Sequence, residues 1–234
     1  MQASEIITDV RRELLETSGA FWSDAELLRH LNRGEMDFVN RTRILEDKAF
    51  LTTTPGRSDY PLPSNWLSAR LVLLNTKENE TDTNSWQRLW PTSLEKKAQE
   101  TPNFLRTDED YRGTPQKYDI WGNDIYLTPA PRSSVSGDLY LFYNSKPIPI
   151  TSTSQSINID ESLSEALNAY ILWKAWSKSK ERALAEEQKQ IYFEYVQQGR
   201  RWKKRRAGDA RNLFDISSPY GFNMSVSDIP GFFE

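Results

Sequence analysis

The sequence predicts an α+β fold: a mainly helical bundle of two N-terminal and two C-terminal helices, an inserted small β-domain, and an extended C-terminal arm. Three observations carry this expectation. Apolar residues recur at helical spacing near both ends of the chain. Between those ends lie short β-rich runs punctuated by Pro and Gly, with one clear hairpin signal. After residue 206 no period is sustained. The expected division is residues 1–45 and 157–206 for the bundle, 46–156 for the β-domain and 207–234 for the arm.

The elements follow in order. Ile6, Ile7, Val10 and Leu14 place a helix over Ala3 to Glu16, starting near Ala3 or Ser4 and stopped by Thr17-Ser18-Gly19. Ser23-Asp24-Ala25-Glu26 is a capping box: the Ser23 hydroxyl can accept the amide hydrogen of Glu26, whose carboxylate can reach back. Phe21 or Trp22 before it can staple onto Leu27 or Leu28. The helix it opens runs to about Arg41, with Leu27, Leu28, Leu31, Glu35, Phe38 and Val39 on one face and Glu35 the odd member.

Phe50 to Thr54 and Leu71 to Leu74 read as short strands. Lys117 to Trp121 and Asp124 to Thr128, separated by Gly122-Asn123, read as a two-residue hairpin. Asp138 to Tyr143 supplies another strand, and the Ser/Thr tract Thr151 to Ser156 links onward. Helix returns after Ile159-Asp160, with Leu163, Leu167, Tyr170, Ile171, Trp173 and Ala175 apolar over so much of the circumference that a central position is expected. The pattern turns polar at Ser177-Lys178-Ser179. A last helix carries Leu184, Ile191, Tyr192, Tyr195, Val196 and Trp202 and ends in Arg200-Arg201-Trp202-Lys203-Lys204-Arg205-Arg206.

Composition narrows the function. With 234 residues the chain can bury a core without staples. Hydrophobic residues make up 37%, low for a globule, yet aromatics reach 12%, which fits either an interface-rich subunit or an ordinary aromatic core. A net charge of −3 does not favour bulk polyanion binding, and the absence of cysteine excludes disulfides, thiol catalysis and cysteine-ligated zinc. Met1 to Thr8 lacks the basic start and apolar run of a secretory leader, and no run approaches the ~18 apolar residues of a membrane span. The expected location is a cytosol or a particle assembled there.

The sequence offers few candidates for chemistry. His30, the one histidine, stands beside Leu31 with no nucleophile motif near it and reads as a structural residue rather than a base. No phosphate-cradling glycine loop exists. Asp108-Glu109-Asp110 lacks the alternation and glycine of a calcium loop and reads as a solvated acidic turn. No catalytic, cofactor or metal residue is assigned, and the expectation is a protein that is not an enzyme. The basic run from Arg200 to Arg206 suits a helix C-terminus on dipole grounds alone. It can equally contact an acidic protein surface or DNA.

The order of elements resembles the head–tail adaptor (connector) proteins of tailed bacteriophages. Three stretches carry the resemblance: Phe21-Trp22-Ser23-Asp24-Ala25-Glu26-Leu27-Leu28-Arg29-His30-Leu31-Asn32, Asp124-Ile125-Tyr126-Leu127-Thr128-Pro129-Ala130-Pro131, and Asp160-Glu161-Ser162-Leu163 onward to Leu172-Trp173-Lys174-Ala175-Trp176-Ser177-Lys178. It covers roughly residues 3–40 and 115–206, and residues 44–114 match only in being β-like. It implies a virion neck protein forming a twelve-fold ring beneath the portal, bound to portal and to tail or neck proteins, with DNA as passing cargo. The expected portal-docking residues are Arg200, Arg201, Trp202, Lys203, Lys204, Arg205 and Arg206 with the arm aromatics Phe214, Tyr220, Phe222, Phe232 and Phe233. The alternatives are a tail-terminator or tail-tube ring protein, and a nucleic-acid-binding module using the basic helix end.

Overall fold

A computed structural model describes residues 1–16, 21–75, 86–100, 103, 106, 108–132 and 139–206, and it is mixed helix and sheet. Helix α1 (Ala3–Glu13) buries Ala3, Ile6, Ile7 and Val10. Its first turn is capped one residue earlier than expected, the Glu5 carboxylate accepting the Gln2 amide at 2.7 Å. Two more first-turn amides, of Ala3 and Ser4, donate to the carbonyls of Gln155 at 2.9 Å and Thr153 at 2.8 Å. The Ser/Thr tract, expected only to link, therefore caps this helix by backbone pairing. The helix also stops sooner than Glu16, because Leu15 turns to φ 54° and points to solvent. The Thr17-Ser18-Gly19 stop lies outside the described residues.

Helix α2 (Asp24–Thr42) begins at the expected cap, with Ser23 Oγ accepting the Glu26 amide at 3.2 Å. The reciprocal bond is replaced: the Glu26 carboxylate accepts Lys178 Nζ at 2.8 and 2.9 Å instead. Lys178 is also stacked 4.2 Å over the Trp22 ring, so one cation ties the start of α2 to the fourth helix. Of the two staple candidates Trp22 is buried with Leu27 in one core, and Phe21 is exposed.

Strands follow: β1 (Glu46–Leu51), β2 (Asp59–Pro61), β3 (Trp66–Asn75), β4 (Trp86–Arg88) and β5 (Trp90–Pro91), then helix α3 (Leu94–Glu100), then β6 (Arg112–Gly113), β7 (Lys117–Trp121), β8 (Asp124–Thr128), β9 (Ala130–Pro131) and β10 (Leu139–Ser145). One sheet has the order β1-β10-β3-β4, a second β2-β8-β7-β5, and β6 pairs with β9. The hairpin is in the expected register, Trp121 opposite Asp124, and Gly122 takes φ 61° at its first central position. The first strand lies earlier than expected, over Glu46–Leu51 rather than Phe50 to Thr54, because its partner β10 runs Leu139–Ser145 and sets the register.

Helix α3 corrects the β-like expectation for residues 44–114. Ser93 caps it, its hydroxyl accepting the Lys96 amide at 3.3 Å. It exists to deliver Lys97, whose ammonium is buried and donates to the buried Asp119 carboxylate on β7. The acidic turn around Glu109 is a single exposed 3-10 turn.

Helices α4 (Glu165–Lys178) and α5 (Arg182–Arg206) end the described chain. Helix α4 is buried at Ala166 through Leu172 and at Ala175, and it packs on α1, α2 and α5. Two glycines allow close helix approach: a Cβ on Gly34 would lie 2.8 Å from the Tyr170 ring, and one on Gly199 would lie 2.9 Å from Phe38. Leu184 departs from its expected apolar face and is 41% exposed. Apolar residues gather in two cores. The larger joins the four helices with Ile150, Ile157 and Ile159, and the smaller lies between the sheets around Tyr60, Ile125, Leu127, Leu139 and Leu141.

Leu31 is fully buried in the larger core with Leu14, Phe38, Leu167 and Ile171. Leu31→Ala should therefore cost about 2–5 kcal/mol, the range for a truncated buried leucine. Urea unfolding of the purified variant measures it, and a cost under 0.5 kcal/mol would refute the burial.

Candidate interaction surfaces

The chain between β10 and α4 has no sheet to satisfy its backbone groups, and α2 supplies the partners. The Asn32 side chain pairs with Ile150 as a strand would: its Nδ2 donates to the Ile150 carbonyl at 2.9 Å and its Oδ1 accepts the Ile150 amide at 2.7 Å. One turn on, Glu35 accepts the amides of Asn158 at 2.6 Å and Ile159 at 3.2 Å, and its other oxygen accepts Asn158 Nδ2 at 2.8 Å. Asn158 in turn brackets Ile148, accepting its amide and donating to its carbonyl. Glu35 is 1% exposed, and burial pushes its carboxyl above the ordinary range although three N–H donors oppose that.

The clamped segment forms one wall of an open groove of about 860 Å³ along the outer face of α2. Leu28, Met36, Ile148 and Tyr170 give it an apolar lining. Arg29 and Arg33, one turn apart and exposed, stand on its helical wall. Neither makes an ion pair with the described residues. Lys174 lies close by, over the Trp173 ring at 3.5 Å, and burial together with Arg33 and Lys189 holds its ammonium below the ordinary range against Asp37. The groove's acid, Asp37, is already engaged by Tyr192 Oη at 2.6 Å and Arg41 Nε at 2.7 Å. Burial works against its ionisation, but those donors hold its carboxyl below the usual range. The groove is thus apolar below and positive along its rim.

The basic end of α5 is divided by its surroundings. Arg200 Nε donates to the Arg41 carbonyl at 3.0 Å, and Lys203 Nζ donates to the Arg43 carbonyl and to Asn144 Oδ1 at 2.6 Å. Both cations thereby satisfy carbonyls at the C-terminus of α2, the end a cation stabilises. Trp202 packs on the helical core with Arg206 4.6 Å above its ring. Arg201, Lys204 and Arg205 are exposed. The arm aromatics Phe214, Tyr220, Phe222, Phe232 and Phe233 lie outside the described residues.

A third surface is the outer face of the first sheet, where Phe50 and Tyr140 stack at 3.9 Å and Phe142 lies 4.3 Å from Tyr140. His30 is mostly buried, which lowers its pKa, with Nε2 4.0 Å from Glu26. No helix among the described residues is long and apolar enough to cross a membrane, and those residues hold no group of three metal-ligating side chains.

Residues 1–212 match the family model described as SU10 adaptor protein. The chain belongs to the SU10 adaptor protein family. No curated protein matches it. Membership makes the chain a phage adaptor protein, a virion component that interacts with other phage structural proteins. The matched range includes residues 44–114, where the sequence motifs carry little. The Trp22 to Asn32 stretch proves to hold residues of two kinds. Trp22, Leu27 and Leu31 build the core, while Leu28, Arg29 and Asn32 line the groove. Arg29 and Arg33 were not among the expected docking residues, although two arginines at i, i+4 on a polar helix face are visible in the sequence.

Removing the clamp has a defined cost. Glu35→Ala leaves three donors without their acceptor, and unfolding stability should fall by about 3 kcal/mol or more. The raised carboxyl also fixes a sign with pH. Above pH 4.5 the unfolded carboxyl releases its proton while the folded one still holds it, so stability falls as pH rises through the folded pKa. Urea midpoints of wild type and Glu35→Gln across pH 4–7 should thus differ by an amount that shifts against the wild type with rising pH. A pH-independent difference would show that Glu35 is not raised.

Proposed function

We propose that this adaptor forms a ring of twelve copies beneath the portal of a tailed phage, joins the head to tail or neck proteins, and lines the passage for DNA ejection. Its work is mechanical, and it is not an enzyme. The helices, residues 1–45 and 157–206, make the ring body, residues 46–156 a projecting β-domain, and residues 207–234 an arm that reaches the portal. The observation that carries the reading is the family match across residues 1–212. The arm aromatics all fall beyond that match, as suits a segment specific to one partner. The exposed Arg201, Lys204 and Arg205 at the end of α5 lead directly into it. Charge there would steer the encounter, and aromatic anchors would slow departure. The net charge of −3 favours DNA as passing cargo over a gripped ligand.

Negative-stain images of virions carrying a label on this chain test the location; label at the neck supports the reading, and label elsewhere overturns it. Deleting residues 207–234 should leave a folded subunit that no longer co-sediments with portal. Salt should weaken attachment of the intact protein only partly, whereas Phe232→Ala with Phe233→Ala should weaken it at every salt concentration. Normal attachment of the truncated chain would remove the arm from the dock. His30→Ala should leave attachment and virion assembly unchanged in a folded protein, and an activity abolished by it in a protein that still folds would overturn the reading that the chain is not an enzyme.

A further inference from the structure

The groove on α2 asks for a negatively charged occupant with apolar side chains, and the chain carries one on a different face. The inner face of α5 is set by Ala185, Tyr192, Val196 and Gly199, with Gly199 against Phe38 of α2. Glu187 and Glu194 each stand two positions on from an inner residue, about 200° around the helix. Both are exposed, and neither makes an ion pair with the described residues. Beside them lie Leu184, 41% exposed, and the half-buried Ile191. This outer stripe is acidic and apolar, whereas the groove is basic and apolar. They point away from each other, since α2 packs on the opposite side of α5, so one copy cannot fill its own groove.

We infer that the groove at Arg29 and Arg33 receives the Glu187–Glu194 stripe of α5 from a neighbouring copy of the chain. The contact is heterologous: each subunit offers its groove to one neighbour and its stripe to the other. Such contacts propagate around a ring rather than closing a two-fold dimer. The lining of Leu28, Met36, Ile148 and Tyr170 matches Leu184 and Ile191, and it suits side chains better than a phosphodiester backbone, which meets cations without an apolar floor. The inference rests on the ring reading above and adds which surfaces form the lateral joint and in which polarity.

The test uses charge reversal on the full-length chain. Arg29→Glu with Arg33→Glu makes one variant, and Glu187→Arg with Glu194→Arg makes the other. All four positions are exposed, and circular dichroism with urea midpoints verifies that both proteins fold. Assembly is read by mass photometry, alone and on portal. Each variant alone should lose at least tenfold in assembled fraction. An equimolar mixture should regain it, since alternating copies place opposite charges at every joint. A second measurement uses the cysteine-free background: Arg33→Cys with Glu187→Cys should give an oxidation-dependent ladder of cross-linked copies. Variants that assemble like wild type, a mixture that stays unassembled, or assembled rings that give no ladder overturn the inference and leave the ring intact. A wild type that stays monomeric even on portal and in virions overturns the ring reading itself. Salt-dependent DNA binding that is lost in Arg29→Glu/Arg33→Glu while rings still form assigns the groove to nucleic acid and overturns the inference.

Discussion

The structure depends on two polar side chains of α2, Asn32 and Glu35, holding the chain that crosses from β10 to α4. A backbone stretch outside helix and sheet must find hydrogen-bond partners or remain on the surface. Here it is drawn inward, because Ile150, Ile157 and Ile159 belong to the helical core. Burying those isoleucines brings their amides along: the Asn32 side chain accepts that of Ile150, the Glu35 carboxylate that of Ile159, and the Met1 carbonyl that of Ile157. Glu35 loses hydration in this role, and the three donors it accepts offset part of that loss.

Much follows from this clamp. The held segment presents Thr153 and Gln155 to the first turn of α1, and Ile157 donates to the Met1 carbonyl at 3.2 Å. The start of the chain is thereby seated against its middle. The same segment exposes Ile148 beside α2 and completes the groove. At the far end of α2 the tie is made by α5, where Arg200 and Lys203 meet the last carbonyls of the helix, and Lys203 reaches Asn144 on β10. Hydrogen bonds between chain segments far apart in sequence thus hold the start of the chain, the middle segment, α2 and β10 in one register.

The sequence made the repetitive features legible. The Ser23 cap, the apolar stripe through Leu27, Leu31 and Phe38, the Gly122-Asn123 hairpin and the central character of α4 all follow from local periods and turn chemistry. Each of these is settled locally, within a single helix or turn. Helix α3 was not legible, because seven residues with one buried lysine carry no amphipathic period, and its reason for existing, Asp119, sits on a different strand. The short parallel pairings of β5 with β7 and β6 with β9 have no local signature either. In the sequence Glu35 is an oddity on an apolar face, but its partners are 123 and 124 residues away. The basic run reads as one unit in the sequence, and its division between inward and outward cations depends on where α2 ends.

By itself the sequence determined the α+β class, the two helical ends around a β-rich middle, and the resemblance to phage adaptors. These rest on local backbone preference and on the order of motifs, which need no third dimension. Only the tertiary structure decided which charges are engaged and which remain open. Glu26, Asp37, Arg200 and Lys203 are held by partners from other segments, while Arg29, Arg33, Glu187 and Glu194 make no such ion pair among the described residues. In a sequence these charges look alike. Whether one is neutralised is a matter of a few ångströms between elements distant along the chain, and those distances arise only when the two cores close.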